Sequence, residues 1–182
     1  MKEVIEFDSK VTQKDLVGFK FYHKYHSGSG IMELLLALVL IVLCVISAGK
    51  VRYSYTAMVG VFGVFFLVFP SVELRLRAKR QMEKVSMFKE TVSYKITEEK
   101  ITISLGDITE DLSWDNIYKI KFDGNCFDIY ITSINANIIP VRDMKGDAMD
   151  FVEMAEKKLK PFQVKVNKNK LRKKCDYGNG NI

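Results

Sequence analysis

The chain has 182 residues, 48% of them hydrophobic, and a formal net charge of +6. That length holds one ordinary domain, or a small domain with a membrane anchor. From Pro161 onward six Lys or Arg residues face Asp176 alone, so nearly all the excess charge sits in that tail and the rest is close to neutral. A nucleic-acid-binding face on the folded part is therefore not expected. Cys44, Cys126 and Cys175 lie in unlike contexts with no CxxC, which argues against a disulfide framework or a cysteine metal cluster and for reduced thiols.

Taken in order, Glu3–Phe7 has the residue types of an edge strand. Thr12-Gln13-Lys14-Asp15 then reads as a capped helix start, with an acid three residues after a hydroxyl. The spacing predicts a short amphipathic helix over Gln13–His26, whose Phe, Tyr, Lys and His suit a headgroup zone. About thirty mixed residues before the first apolar run do not read as a secretory signal. Ile31–Gly49 and Ala57–Leu74 each approach the roughly 20 residues needed to cross a bilayer core, and Lys50–Tyr55 reads as the turn between them. Gly60, Gly63 and Ala57 on one helix, and Ala37, Cys44 and Ala48 on the other, form small-residue faces for close pairing. Glu33 is the one acid clearly inside a span, and interfacial pairing or snorkelling, at the membrane face it shares with Arg75 and Arg77, is the expected account.

The flanks set an expected orientation. Arg75, Arg77, Lys79, Arg80 and Lys84 follow the second span, and Lys10, Lys14, Lys20 and Lys24 precede the first. The turn carries only Lys50 and Arg52, so the positive-inside rule puts both termini in the cytoplasm of a multi-pass plasma-membrane protein.

From residue 87 the period changes to two. Phe88–Ile96, ended by the turn-like Thr97-Glu98-Glu99, then Ile101-x-Ile103-x-Leu105, Ile108–Leu112, Tyr118–Asp123, Cys126–Thr132 and Ala136–Val141 read as successive strands, with turns at Gly106-Asp107 and Gly124-Asn125. Asp147–Lys160 reads as a closing amphipathic helix. The expected fold is α+β: a two-helix transmembrane hairpin, then a small antiparallel sheet or partly open barrel plugged by a C-terminal helix. That strand-and-helix order is the one a pleckstrin-homology-like module shows. The expected divisions are residues 1–30 for a strand and interfacial helix, 31–74 for the hairpin, 75–86 for a basic linker, 87–160 for the cytoplasmic domain and 161–182 for a flexible basic tail.

Ile96-Thr97-Glu98-Glu99-Lys100-Ile101, Leu112-Ser113-Trp114-Asp115-Asn116-Ile117, Ile138-Ile139-Pro140-Val141-Arg142 and Phe151-Val152 together resemble the YcxB-like family. That bacterial family places a YcxB-like domain after a pair of membrane helices. The resemblance implies the layout and carries no catalytic residues across.

Trp114 reads as a core anchor more readily than as a groove aromatic, while Arg142 and Lys145 beside Gly146 could meet a phosphate, a headgroup or a protein partner. Arg75, Arg77, Lys79 and Arg80, with Lys170, Arg172, Lys173 and Lys174 of the tail, are the expected contacts to anionic lipid. His23 and His26 lack a matching acid or Cys for a metal, and Asp107, Glu110 and Asp111 lack a nucleophile to serve. No Gly-rich phosphate loop, nucleophile elbow or HExxH occurs. The expectation is a non-enzymatic module without cofactor or metal, partnered by the lipid bilayer, anionic headgroups and an unidentified protein, with homo-oligomerisation open. An accessory subunit of a transporter, or an immunity-type factor acting through the hairpin, is the alternative.

Overall fold

A computed structural model describes residues 2–26, 28–85, 88–144 and 146–179. In chain order the elements are β1 (Val4–Ser9), α1 (Gln13–Tyr25), α2 (Gly28–Ser47) and α3 (Tyr53–Lys84). They continue with β2 (Val92–Thr97), β3 (Lys100–Leu105), β4 (Ile108–Ser113), a 3-10 turn (Trp114–Asn116), β5 (Lys119–Phe122), β6 (Cys126–Tyr130) and β7 (Ala136–Pro140). A second 3-10 turn (Val141–Met144), α4 (Ala148–Lys158), β8 (Val164–Lys165) and α5 (Lys168–Asn179) complete them. The chain divides into two compact units, one from residues 1–19 with 82–182 and one from 20–81.

The first unit is α+β and holds two four-stranded sheets rather than a closed barrel. Their strand orders are β1-β2-β3-β4 and β7-β6-β5-β8. All neighbours are antiparallel except β5 and β8, which run parallel. In the first sheet the even period works as written: Ile5 and Phe7, Tyr94 and Ile96, Ile101 and Ile103 turn inward, while Glu6, Lys95 and Lys100 face water. Gly106, at φ +57°, makes the two-residue turn joining β3 to β4. Phe127, Ile129, Ile120 and Ile139 of the second sheet meet Phe151, Val152 and Ala155 of α4 in the same core. Phe151 stands edge-on to Phe127 at 5.0 Å between ring centroids.

One expectation is met here and two change. The N-terminal segment is an edge strand of the first sheet, with Ile5 opposite Ile96 and Phe7 stacked on Tyr94 at 5.3 Å. The tail is not a flexible extension through its described length. Val164–Lys165 adds a strand to β5, and α5 seats Leu171 in the core at 0% exposure with Cys175 packed beside it. Burial of those side chains, rather than the lysines around them, decides that segment's structure. The barrel is replaced by two sheets because the chain leaves the first at β4, through the Trp114 turn, before β5 begins the second. Lys145, residue 87 at the expected domain boundary and residues 180–182 of the tail lie outside the described residues.

The second unit pairs α2 with α3 across a turn closed by Gly49 at φ +78°, a conformation glycine adopts without penalty. A side chain at Gly60 would meet Cys44 Sγ at 3.0 Å, and one at Gly63 would meet Ile41 Cγ1 at 3.0 Å. The small residues of α3 therefore face α2, and Ser47 Oγ reaches Thr56 Oγ1 at 3.4 Å near the turn. At 1.5 Å per residue α2 spans roughly 30 Å and α3 roughly 48 Å. Leu34, Leu38, Val45, Val61, Val64 and Val68 are each about half exposed or more, so these helices do not serve as the buried core of a soluble unit. Two candidate membrane-spanning helices of this kind suggest membrane association. Glu33 bonds Lys24 at 2.6 Å, and Arg77 is held by Glu73 at 2.6 Å, one helical turn away. The pairing expected of Glu33 is thus made with Lys24.

Candidate functional site

Within the first unit the chemistry gathers around one cleft of about 150 Å³. It is lined by Lys14, Asp15 and Gly18 of α1, the β5–β6 turn at Asp123 and Asn125, Cys126, Arg142 and Lys174 of α5. The start of α1 fixes the first wall. Asp15 Oδ2 accepts the Thr12 backbone N–H at 2.8 Å and the Thr12 hydroxyl at 2.6 Å, the reciprocal cap its sequence predicts.

Arg142 fixes the second wall. Pro140 ends β7 and the 3-10 turn aims Arg142 back at the helix start, where it donates to both Asp15 oxygens at 2.8 and 2.7 Å. It also donates to the Lys10 carbonyl at 3.2 Å and lies 3.4 Å from Asp143. Burial alone would raise the Asp15 pKa, but the hydrogen bonds from Arg142 and Thr12 outweigh it and hold the carboxyl below its ordinary range. The Arg142 guanidinium is raised in turn, mainly by its bond to Asp15.

The hairpin turn closes the floor. Asp123 Oδ1 accepts the backbone N–H groups of Asn125 and Cys126, each at 2.7 Å. Gly124 at φ +113° completes the turn, and a side chain there would meet Lys170 Nζ at 2.7 Å. Cys126 is fully buried, and that burial first, then the carboxylates of Asp123, Asp15 and Asp128, pushes its thiol up and away from the reactive thiolate. Two residues on, Asp128 is 0% exposed and neither carboxyl oxygen has a hydrogen-bond partner among the described residues. Burial, then Asp123, raises its pKa to about 8, against the opposing pull of Lys121 across the β5–β6 register. Asp128 is therefore mostly protonated at pH 7.

The residues singled out from sequence divide accordingly. Trp114 lies in the core at 4% exposure, donating Nε1–H to the Thr97 carbonyl at 3.0 Å, and belongs to packing. Arg142 and Lys174 come together in the cleft, with Lys170 at its rim. Arg172 and Lys173 are on the exposed side of α5. Arg75, Arg77, Lys79 and Arg80 belong to α3 in the other unit. Among the described residues no group of three or more His, Cys, Asp or Glu is arranged for a metal ion. Asp15, Lys14 and Asp123 escape a sequence reading of the site. The capping pattern marks Asp15 as a local residue, and only the fold gives it Arg142, 127 positions away.

These features define a class: an α+β unit of two small sheets in one chain with two helices long and apolar enough to cross a bilayer. Residues 96–155, about a third of the chain, match the family described as YcxB-like protein, the span that holds the strand motifs which resemble it. The match takes in Asp123, Asn125, Cys126 and Arg142, whereas the α1 and α5 walls of the cleft lie outside it. Comparison with curated proteins and with solved structures finds no match.

Proposed function

We propose that this chain is a membrane-anchored, non-enzymatic binding module. Its two apolar helices cross the plasma membrane as a hairpin, and its YcxB-like unit, pleckstrin-homology-like in its strand-and-helix order, works at the cytoplasmic surface on a protein or a lipid headgroup. The observation that carries this reading is the contrast between the exposed leucines and valines of α2 and α3 and the closed core of the other unit. Exposed apolar surface on that scale is stable in lipid and costly in water. Both termini are cytoplasmic, because Arg75, Arg77, Lys79 and Arg80 follow α3's apolar stretch while the turn has only Lys50 and Arg52. Anchoring makes the mechanism positional: the module meets surface ligands at a high local concentration, without a search through the cell volume. The alternative of a transporter accessory has less to stand on, since Gly60 and Gly63 already face α2.

The test uses the full chain with its native cysteines replaced by alanine. Cysteine introduced at Lys50 is expected to react with an impermeant maleimide on intact cells, and cysteine introduced at Lys173 only after permeabilisation. The reverse pattern would overturn the orientation, and release of the chain by alkaline extraction would overturn the anchoring.

A further inference from the structure

Resting on the headgroup-binding reading above, we infer that the cleft between α1, the β5–β6 turn and α5 is a receptor for one phosphoryl group, a phosphate monoester dianion. Three cations line it, Lys14, Arg142 and Lys174, and a fourth, Lys170, lies over the turn at its rim. Two acids line it as well, so three cations stand against two carboxylates. Asp15 is bonded through both oxygens to Arg142 and Thr12, and Asp123 caps two backbone amides through Oδ1. The lysines differ from these acids. Lys14 and Lys174 make no ion pair among the described residues, so their charge is not answered within the unit.

Geometry favours a compact ligand. About 150 Å³ has room for several waters, at roughly 30 Å³ each, and so for a phosphoryl group with the start of its ester stem. Arg142 is fixed by its two bonds to Asp15, which offset its charge, so the excess positive charge of the cleft comes from Lys14 and Lys174. Gly124 is at φ +113°, a conformation that favours glycine, and its bare Cα leaves room for Lys170 Nζ, which would lie 2.7 Å from a Cβ there. The hairpin thereby lets an ammonium sit directly over the backbone at the mouth. Tetrahedral doubly charged oxygen clusters are met best by several cations from different directions, as α1, the 3-10 turn and α5 supply here. The side of α5 bearing Arg172 and Lys173 is exposed and faces no such enclosure. Two sources carry the same chemistry: a soluble phosphate monoester, or a lipid with a terminal phosphate.

The experiment uses the full chain in nanodiscs of neutral lipid, with inorganic phosphate titrated at constant ionic strength and followed by calorimetry. Saturable binding is expected, weakened about tenfold or more by Lys14→Ala or Lys174→Ala and less than about twofold by Arg172→Ala or Lys173→Ala. Folding of each variant is checked by its thermal transition, and Lys14→Arg and Lys174→Arg should restore most of the affinity. Nanodiscs doped with a phosphate-monoester lipid separate the sources. Competition against inorganic phosphate assigns a headgroup, unchanged titration assigns a soluble ligand, and either supports the cleft. Equal weakening by Arg172→Ala and Lys14→Ala would mean diffuse attraction along α5 and overturn the cleft while leaving headgroup binding standing. No binding of phosphate and no effect of anionic lipid would overturn both.

Discussion

The two sheets of the α+β unit are built from the same kind of sequence and end in different environments. The first keeps one face in water. Its outer surface is a ladder of short polar contacts, Lys95 to Glu6, Ser93 to Asp8, and Lys100 and Thr102 to Asp111. The second has no dry and wet side at its centre, since all five residues of β6 are buried. Phe127 and Ile129 face α4, while Cys126, Asp128 and Tyr130 lie on the face where α1 brings Gly18 beside Asp123 and Phe19 to 6.2 Å from Tyr130. Period two thus marks a strand in both sheets, but it does not say whether the second face is covered. In the first sheet a polar residue is a solvated ornament. In the second the same residue type becomes an interior group with altered acid–base chemistry and a place beside the cleft.

The most severe way to break this difference is to open the doubly covered sheet. Phe127→Ala removes a fully buried ring packed on Phe122 and Phe151, and should cost about 3–5 kcal/mol, measured by denaturation of the detergent-solubilised chain. Loss below about 1 kcal/mol would mean that the two-faced burial of β6 contributes little.

Asp128→Asn tests the buried face by pH. The folded pKa of about 8 lies above the ordinary 3.8. Between those values the folded chain keeps a proton that the unfolded chain has released, so the parent loses stability as the pH rises. The asparagine variant lacks that slope. Its stability relative to the parent should climb by about 1.4 kcal/mol per pH unit through this window. Parallel curves for the two proteins would show that Asp128 ionises normally and that its face is wet.

Arg142→Ala should cost about 1–3 kcal/mol, less than a fully buried pair would, because the Arg142 side chain is half exposed while that of Asp15 is 5% exposed. The sign with pH is opposite to that of Asp128. The lowered Asp15 pKa contributes stability above the ordinary carboxylate range and loses it as the pH falls through the folded value. Asp15→Asn in the Arg142→Ala background should therefore add little, a coupling that a double-mutant cycle reads directly.

The same contrast explains what the sequence could disclose. Ile101-x-Ile103-x-Leu105 states a half-buried strand outright, and the apolar lengths of α2 and α3 state their helices, since those signals are local and repeated. Pro140 likewise announces the end of β7. The pairing of β1 with β2 is not stated locally, because Asp8 and Ser93 are 85 positions apart and either strand could pair elsewhere. Two-residue β8 is too short for any alternation, and α5 carries one buried leucine among its lysines, so charge conceals a segment that packs. For the cleft, Arg142 and Lys174 could be noticed as cations. Their convergence depends on β7, the 3-10 turn and α5 closing around α1, which no spacing in the chain encodes.

The smallest expected effect sharpens the comparison most economically. Lys95 and Glu6 are 2.7 Å apart on the outer face of the first sheet, as close as Arg142 Nη2 and Asp15 Oδ2, yet their side chains are 56% and 60% exposed. Water screens the pair, and holding two long side chains together costs rotamer entropy. Lys95→Ala should change stability by less than about 1 kcal/mol and lose even that at high salt. The two ion pairs match in length and differ in cover. If Lys95→Ala cost as much as Arg142→Ala, distance rather than burial would set their strength, and the distinction between the two sheets would lose its energetic meaning.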